Sequence, residues 1–298
     1  MQSSEIYQVD QWLKNAVAIL DLSQVPSSRL DALILLEDAT GKDRAWLLAH
    51  PDYSLKSLCK KSDLVKLDKL VQRRADHEPL AYIRGKSEFY GREFLVTPAT
   101  LQPRSETETM ITILINLLHN KSIVKRARSF KPVKNIIICD IGTGSGAIAI
   151  TAKLEIDDVT VIATDVQLDA LEVAKNNAVI LKAKIKFYLG NLLEPLKNQD
   201  IDVIVANLPY VPNSHTVNQA AMQEPKVAIF GGSDGLDLYR QMFKQLSSIA
   251  TKPVYVLTES LPYQHKQLAT IAAEQNYKVT NTEDFIQVFS LTDVKLRA

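Results

Sequence analysis

The sequence predicts an α/β fold: a seven-stranded, Rossmann-like sheet with helices on both faces, preceded by a small all-helical domain and a linking β-hairpin. Three observations carry that prediction. From residue 135 onward, short apolar runs rich in β-branched residues alternate with helical segments. Up to Glu78 and Pro79 the apolar residues recur at helical spacing and no strand signal appears. Between these regions lies "GKSEFYGREFLVTP", two aromatic-rich runs around Gly91 that suit a hairpin better than a helix.

In chain order, Ile6, Val9, Leu13, Val17 and Leu20 mark a first helix. "SSRLDALILLEDATG" opens a second, with Ser28 three residues before Asp31 as a capping signal and Gly41 as the stop. "SDLVKLDKLVQRRADH" forms another. We therefore divide the chain into a helical domain over 1–84, a linker hairpin over 85–103 and a sheet domain over 104–298. That last domain begins with "LQPRSETETMITILINLLH", whose Ser105 and Glu108 have capping-box spacing. Strands follow at 135–140, 159–164, 183–189, 202–207, 253–259, 277–282 and 285–291. The final two lack an intervening helix, which predicts an antiparallel hairpin at one sheet edge.

Composition narrows the function classes. Lys and Arg (35) nearly cancel Asp and Glu (34), so no global field draws the chain to nucleic acid or an anionic membrane. Cys59 and Cys139 stand among apolar or helical neighbours, which argues against a disulfide framework and suits a reducing cytoplasm. No stretch approaches the length of a membrane span, and the first residues lack an export signal. The five histidines show no metal-like clustering, and His77, His215 and His265 read as surface residues. No metal is expected. "KSIVKRARSFKPVK", residues 121–134, holds six basic residues and no acid; it reads as a solvated linker, with a contact patch as the alternative.

Two motifs carry chemistry. "CDIGTGSGAIAI" follows the first sheet strand and opens a helix, so the loop Gly142, Thr143, Gly144, Ser145, Gly146 lies where backbone must turn tightly against a ligand. Gly142, Gly144 and Ala147 also satisfy the dinucleotide fingerprint, with Asp165 as the ribose acid, and that spacing does not choose between cofactors. Asp140 favours S-adenosylmethionine, because a carboxylate near the loop suits a sulfonium and an ammonium and repels a pyrophosphate. Asn191 after the third strand, with Leu192 beside it, is placed to approach the adenine, although a turn asparagine has the same signature.

The second motif is "IVANLPY", where an apolar strand ends in Asn207 and a Leu-Pro-Tyr corner. A planar amino nitrogen is a weak nucleophile because its lone pair is delocalised. The Asn207 side-chain oxygen and the carbonyl of Leu208 could accept its two N–H bonds and turn the lone pair toward a methyl group. Pro209 would fix the corner, and Tyr210 would pack on the planar group. No general base is needed before attack.

These residues carry a family resemblance. The chain resembles the N5-glutamine methyltransferases of peptide chain release factors, the HemK family, from roughly residue 70 to the C-terminus. "HEPLAYIRGKSEFYGREFLVTPATLQPRSETE" is similar to that family's linker hairpin and PR-x-E-T-E segment, "DIGTGSGAIAI" to its donor loop and "NLPY" to its N-P-P-Y. "EPKVAIFGGSDGLDLYR" is the most specific match, since N-P-P-Y also marks adenine N6 methyltransferases of DNA or RNA. The resemblance implies a methyltransferase domain behind a helical domain that offers faces to a protein partner. It implies the glutamine of a Gly-Gly-Gln motif as acceptor, and places Arg104, Glu106 and Glu108 near the mouth of the site. Glu224 lies in a long excursion after the fourth strand, 211–230, long enough to cover the acceptor, and with Arg104 it is a candidate substrate contact.

Three positions depart from the family pattern: Leu208 replaces a proline, Leu261 replaces a glycine, and Ser105 replaces a proline that it could substitute as a helix cap. Glu259, ending the fifth strand, reads equally as a pocket acid or a strand-end charge. The rival functions are an adenine methyltransferase acting on nucleic acid, a scaffold that binds the methyl donor without turnover, and a dehydrogenase.

Overall fold

The computed structural model describes residues 8–119, 136–249 and 251–292, and the basic segment 121–134 lies outside them. The chain divides into two compact units, Met1–Gly85 with Asn218–Gln223, and Lys86–Val217 with Glu224–Ala298.

In the first unit the helices are α1 (Val9–Leu22), α2 (Ser28–Thr40), α3 (Arg44–Ala49), α4 (Lys61–Ala75) and α5 (Leu80–Arg84). The apolar stripe of α1, with Val9, Leu13, Ala16 and Leu20, meets Leu35 and Leu36 of α2 and Leu67 and Val71 of α4 in one buried cluster. The capping expectation at Ser28 fails. Ser27 is the N-cap, and its hydroxyl goes to the Asp31 carboxylate at 2.9 Å, leaving the backbone uncapped by a side chain. Asp31 instead accepts from Arg74 Nε at 2.7 Å, a buried pair that ties α2 to α4. Removing either partner strands a buried charge.

The second unit opens with the hairpin β1 (Lys86–Phe89) and β2 (Arg92–Leu95), paired antiparallel. Phe89 and Phe94 are buried and meet edge to face at 6.2 Å. Next comes α6 (Glu108–His119), but the capping box expected from Ser105 and Glu108 does not form. A 3-10 turn over Ser105–Thr107 intervenes, Ser105 bonds Glu106, and Glu108 accepts the Tyr90 N–H at 2.8 Å. Thr107 is thereby turned inward and buried.

The sheet strands are β3 (Ile136–Ile141), β4 (Val159–Asp165), β5 (Ile185–Leu189), β6 (Val203–Ala206), β7 (Tyr255–Glu259), β8 (Tyr277–Glu283) and β9 (Ile286–Leu291). They lie in the order β5-β4-β3-β6-β7-β9-β8, parallel through β7, with β9 and β8 antiparallel at one edge. Hydrophobic clusters of buried residues cover both faces, which is why the central strands are almost continuously apolar. Succession reverses at β3: β4 and β5 extend to one side, β6 and β7 to the other. A crevice opens at such a switch, beyond the carboxyl ends of the strands. Ile141 pairs with Ala206, so Gly142 and Asn207 leave the sheet side by side. No described helix is long and apolar enough to cross a membrane.

Candidate active site

The glycine loop after β3 is held from three directions. The N–H groups of Gly142 and Thr143 both donate to the Thr164 carbonyl at 2.9 Å, tying the loop to β4. Gly142, Gly144 and Gly146 have φ of 72°, 55° and 82°, a region that favours glycine. From α8 (Leu168–Ile180), buried Asn177 donates to the carbonyls of Ser145 and Leu95, each at 2.9 Å, and accepts the Leu95 N–H at 2.7 Å. The loop and strand β2 are thus pinned by one amide.

Asp165 ends β4 and lines the pocket. Its two oxygens accept the N–H groups of Gly144 and Gln167, each at 2.9 Å. A carboxylate offers about four acceptor sites, so beyond its backbone bonds, which include one from Val166, it keeps capacity for a ligand hydroxyl. Burial raises its pKa against those backbone hydrogen bonds. Thr143, Gly144, Ser145, Asn191 and Leu192 share the same pocket wall.

Asp140 does not stand on that wall, contrary to the expectation that it faces the ligand's charge. It is fully buried beneath the loop, where Oδ2 accepts from Thr143 Oγ1 at 2.6 Å and from the Ala149 N–H at 3.1 Å. Ala149 lies in the first turn of α7 (Ala147–Glu155), whose N-cap is Gly146, so Asp140 supplies the cap that glycine cannot. Oδ1 is buried without a partner. Burial is the main cause that lifts the carboxyl from 3.8 to about 7, partly offset by the Thr143 and Ala149 bonds. A raised acid pKa favours the protonated fold: this contribution is full below 3.8 and is lost as pH rises through about 7. The melting temperature of Asp140→Asn relative to the unsubstituted protein should therefore increase between pH 5 and pH 8. Paired melts across that range check it, and a flat difference would remove the buried-charge account.

The corner after β6 is built on carbonyls and hydroxyls. Asn207 Nδ2 donates to Thr107 Oγ1 at 3.0 Å, and Thr107 donates to Glu259 Oε2 at 2.7 Å. The Leu208 N–H donates to the buried Tyr239 hydroxyl at 3.1 Å, and that hydroxyl donates to the Glu259 carbonyl. The Leu208 carbonyl lies 3.4 Å from Tyr239 Oη, whose single proton goes to the nearer Glu259, so its accepting capacity is kept. Leu208 is buried, and its Cδ2 is 3.0 Å from where a Cβ on Gly142 would stand. Asn207, Leu208 and Pro209 line the pocket; the Tyr210 ring does not, because its hydroxyl is drawn to Glu259 Oε1 at 3.0 Å. Burial first, then the Glu259 charge, raises the Tyr210 pKa.

The segment "FGGSDG" acts as a template for this corner. An added Cβ on Gly231 would overlap the Pro209 carbonyl oxygen, and one on Gly235 the Tyr210 carbonyl oxygen. Gln264 Nε2 bridges the carbonyls of Tyr210 and Asp234, each at 2.8 Å. Leu261 has φ −65°, so the glycine expected there is not required by the backbone.

Arg104 and Glu224, both expected to contact substrate, meet each other: Nη2 to Oε1 is 2.7 Å, with Glu224 only 4% exposed. Burial raises the Glu224 pKa against the lowering effect of Arg104. The pair clamps the end of the excursion after β6, whose Pro225, Val227 and Ala228 line the pocket with Arg104. Sequence reasoning did not assign Thr107, Tyr239, Asn177 or Gln264. Thr107 lies in the PRSETE segment, and Glu259 is a buried acid beside the pocket rather than a solvated strand-end charge.

The chain matches the family model of the PrmC N-terminal domain over residues 11–85 and that of the methyltransferase small domain over 125–227. A bifunctional methyltransferase of Rickettsia typhi is 32% identical over 292 residues, covering 94% of this chain and 56% of that protein. The chain spans about half the length of the bifunctional relatives it matches. The release factor glutamine methyltransferase of Koribacter versatilis is 34% identical, covering 78% of this chain and 79% of its own length. That of Bacillus subtilis is 35% identical, covering 76% of each. The chain belongs to the release factor glutamine methyltransferase family.

Proposed function

We propose that this protein transfers a methyl group from S-adenosylmethionine to the side-chain amide nitrogen of the glutamine in the Gly-Gly-Gln motif of peptide chain release factors. The observation that carries the reading is Asn207: its Nδ2 is turned to Thr107 and Glu259, its Oδ1 is left for an acceptor, and it lines one pocket with the glycine loop. Relatives named release factor glutamine methyltransferase support the substrate class. In this reading residues 1–84 recognise the release factor, 85–103 link, and 104–298 carry the chemistry.

The residues present fit the methyl donor. Asp165 keeps accepting capacity for a ribose hydroxyl, and Asn191 and Leu192 form a wall for the adenine. Gly142 and Gly144 line the pocket and admit close approach of a ligand, while Gly146, expected to join them, packs instead against Ile150 and Ala174. When bound, S-adenosylmethionine supplies an electrophilic methyl on sulfur. Asn207 Oδ1 and the Leu208 carbonyl accept the two N–H bonds of the glutamine amide and turn its lone pair toward the methyl group. Pro209 and Tyr210 hold the corner, Tyr210 through Glu259 rather than by stacking. The carbon–sulfur bond would break as the carbon–nitrogen bond forms, leaving a neutral thioether, and the methylated nitrogen would return to a neutral amide by passing its proton to water, so the site needs no base of matched pKa.

The test is incubation with labelled methyl donor, a release factor, its Gly-Gly-Ala variant, and adenine-containing DNA and RNA, followed by mass spectrometry. Label on the motif glutamine, absent from the alanine variant, is expected. Label on adenine would replace this reading with the nucleic-acid methyltransferase.

A further inference from the structure

We infer that Thr107 and Glu259 are positioning residues that decide which end of the Asn207 amide faces the acceptor. The inference rests on the reading that Asn207 accepts an N–H of the glutamine. A side-chain amide can present its oxygen or its NH2 at nearly equal steric cost, so its neighbours choose. The choice here starts at a carboxylate. Glu259 is 1% exposed at the end of β7, and when ionised it can only accept hydrogen bonds.

Thr107 therefore spends its one proton on Glu259 Oε2, and its lone pairs face Asn207. Asn207 can answer only with Nδ2, and Oδ1 is turned away from the hydroxyl. Tyr210 donates to the other carboxylate oxygen; burial raises the Glu259 pKa, and the hydrogen bonds from Thr107, Tyr210 and Asn207 oppose that shift by favouring the charged form. The polarity runs one way, from carboxylate to hydroxyl to amide N–H. Strand register supports it: Thr258 of β7 pairs with Ala206 of β6, so Glu259 and Asn207 leave adjacent parallel strands at the same level. A glutamine at 259 could donate to Thr107, reverse the hydroxyl, and turn the Asn207 NH2 toward a substrate that itself brings N–H groups.

The experiment compares the unsubstituted protein with Glu259→Gln, Thr107→Val and Thr107→Ser, measuring kcat and KM for the release factor and Kd for the methyl donor. Glu259→Gln and Thr107→Val should lower kcat about tenfold to hundredfold, a loss typical of misplaced reacting groups, with donor Kd unchanged. Thr107→Ser should restore most of the rate, since serine keeps the hydroxyl. An independent reading comes from hydrogen exchange of the Asn207 side-chain amide protons by NMR, assigned by their absence in Asn207→Ala. Protection in the unsubstituted protein, lost in Thr107→Val, supports the relay. Unprotected Asn207 protons, or full kcat in both disruptive variants, would overturn it. Absence of transfer by the unsubstituted protein counts against the proposed function, and the exchange measurement still judges the relay.

Discussion

Replacing Asn207 with alanine lowers methyl transfer by roughly a hundredfold to ten-thousandfold, the range expected when an oriented polar group at the reacting centre is removed. Donor affinity stays within about threefold, because the ribose and loop contacts attributed to Asp165 and Gly144 do not involve Asn207. The fold should persist: Asn207 follows β6 rather than pairing within it, and Leu208 N–H keeps its bond to Tyr239. Thr107 loses the donor to its lone pairs, but the pocket admits water in its place. Single-turnover transfer and calorimetric titration with the methyl donor separate the two quantities. Turnover close to that of the unsubstituted protein would sink the role given to Asn207.

The second large effect is expected at Gly235. Its φ is 81°, and an added methyl would overlap the Tyr210 carbonyl oxygen and stand 2.5 Å from Gln264 Nε2. Backbone and the bridging amide must both move, so Gly235→Ala should cost about 2–4 kcal/mol in stability, combining backbone strain with overpacking. It should also shift the Asn-Leu-Pro-Tyr corner and lower turnover. Gly144→Ala is the contrasting case. There the added methyl meets nothing within 4 Å, so only the positive φ is penalised, by about 1 kcal/mol. Urea unfolding of the two variants compares them, and equal midpoints would contradict the template role of "FGGSDG".

The seven strands were legible because each is a β-branched run bounded by turn or helix signals, and both faces of the central sheet are covered, which keeps those runs apolar. The glycine loop and Asn207 were legible because local spacing carries their meaning. Burial is not local. Asp140 read as a charge facing a ligand, and it serves instead as a helix cap under the loop, a position set by the packing of α7 on β3. The Thr107 to Glu259 bond joins residues 152 apart, and the Arg104 to Glu224 pair residues 120 apart; no window of sequence contains either. The two failed caps show the same limit at short range. Ser28 and Ser105 had the right spacing, but Ser27 takes one cap position and a 3-10 turn displaces the other.

The contact between Leu208 and Gly142 has a thermodynamic consequence. Leu208 Cδ2 fills the space beside a residue that has no side chain, so the glycine loop and the corner after β6 touch there as well as through the pairing of β3 with β6. Under the proposed function, a loop displaced by the methyl donor would press on or release the corner that meets the acceptor. Linkage makes that influence reciprocal: whatever factor the first ligand imposes on the affinity of the second, the second returns to the first. Leu208, buried against that glycine, is therefore the side chain at which to measure that factor.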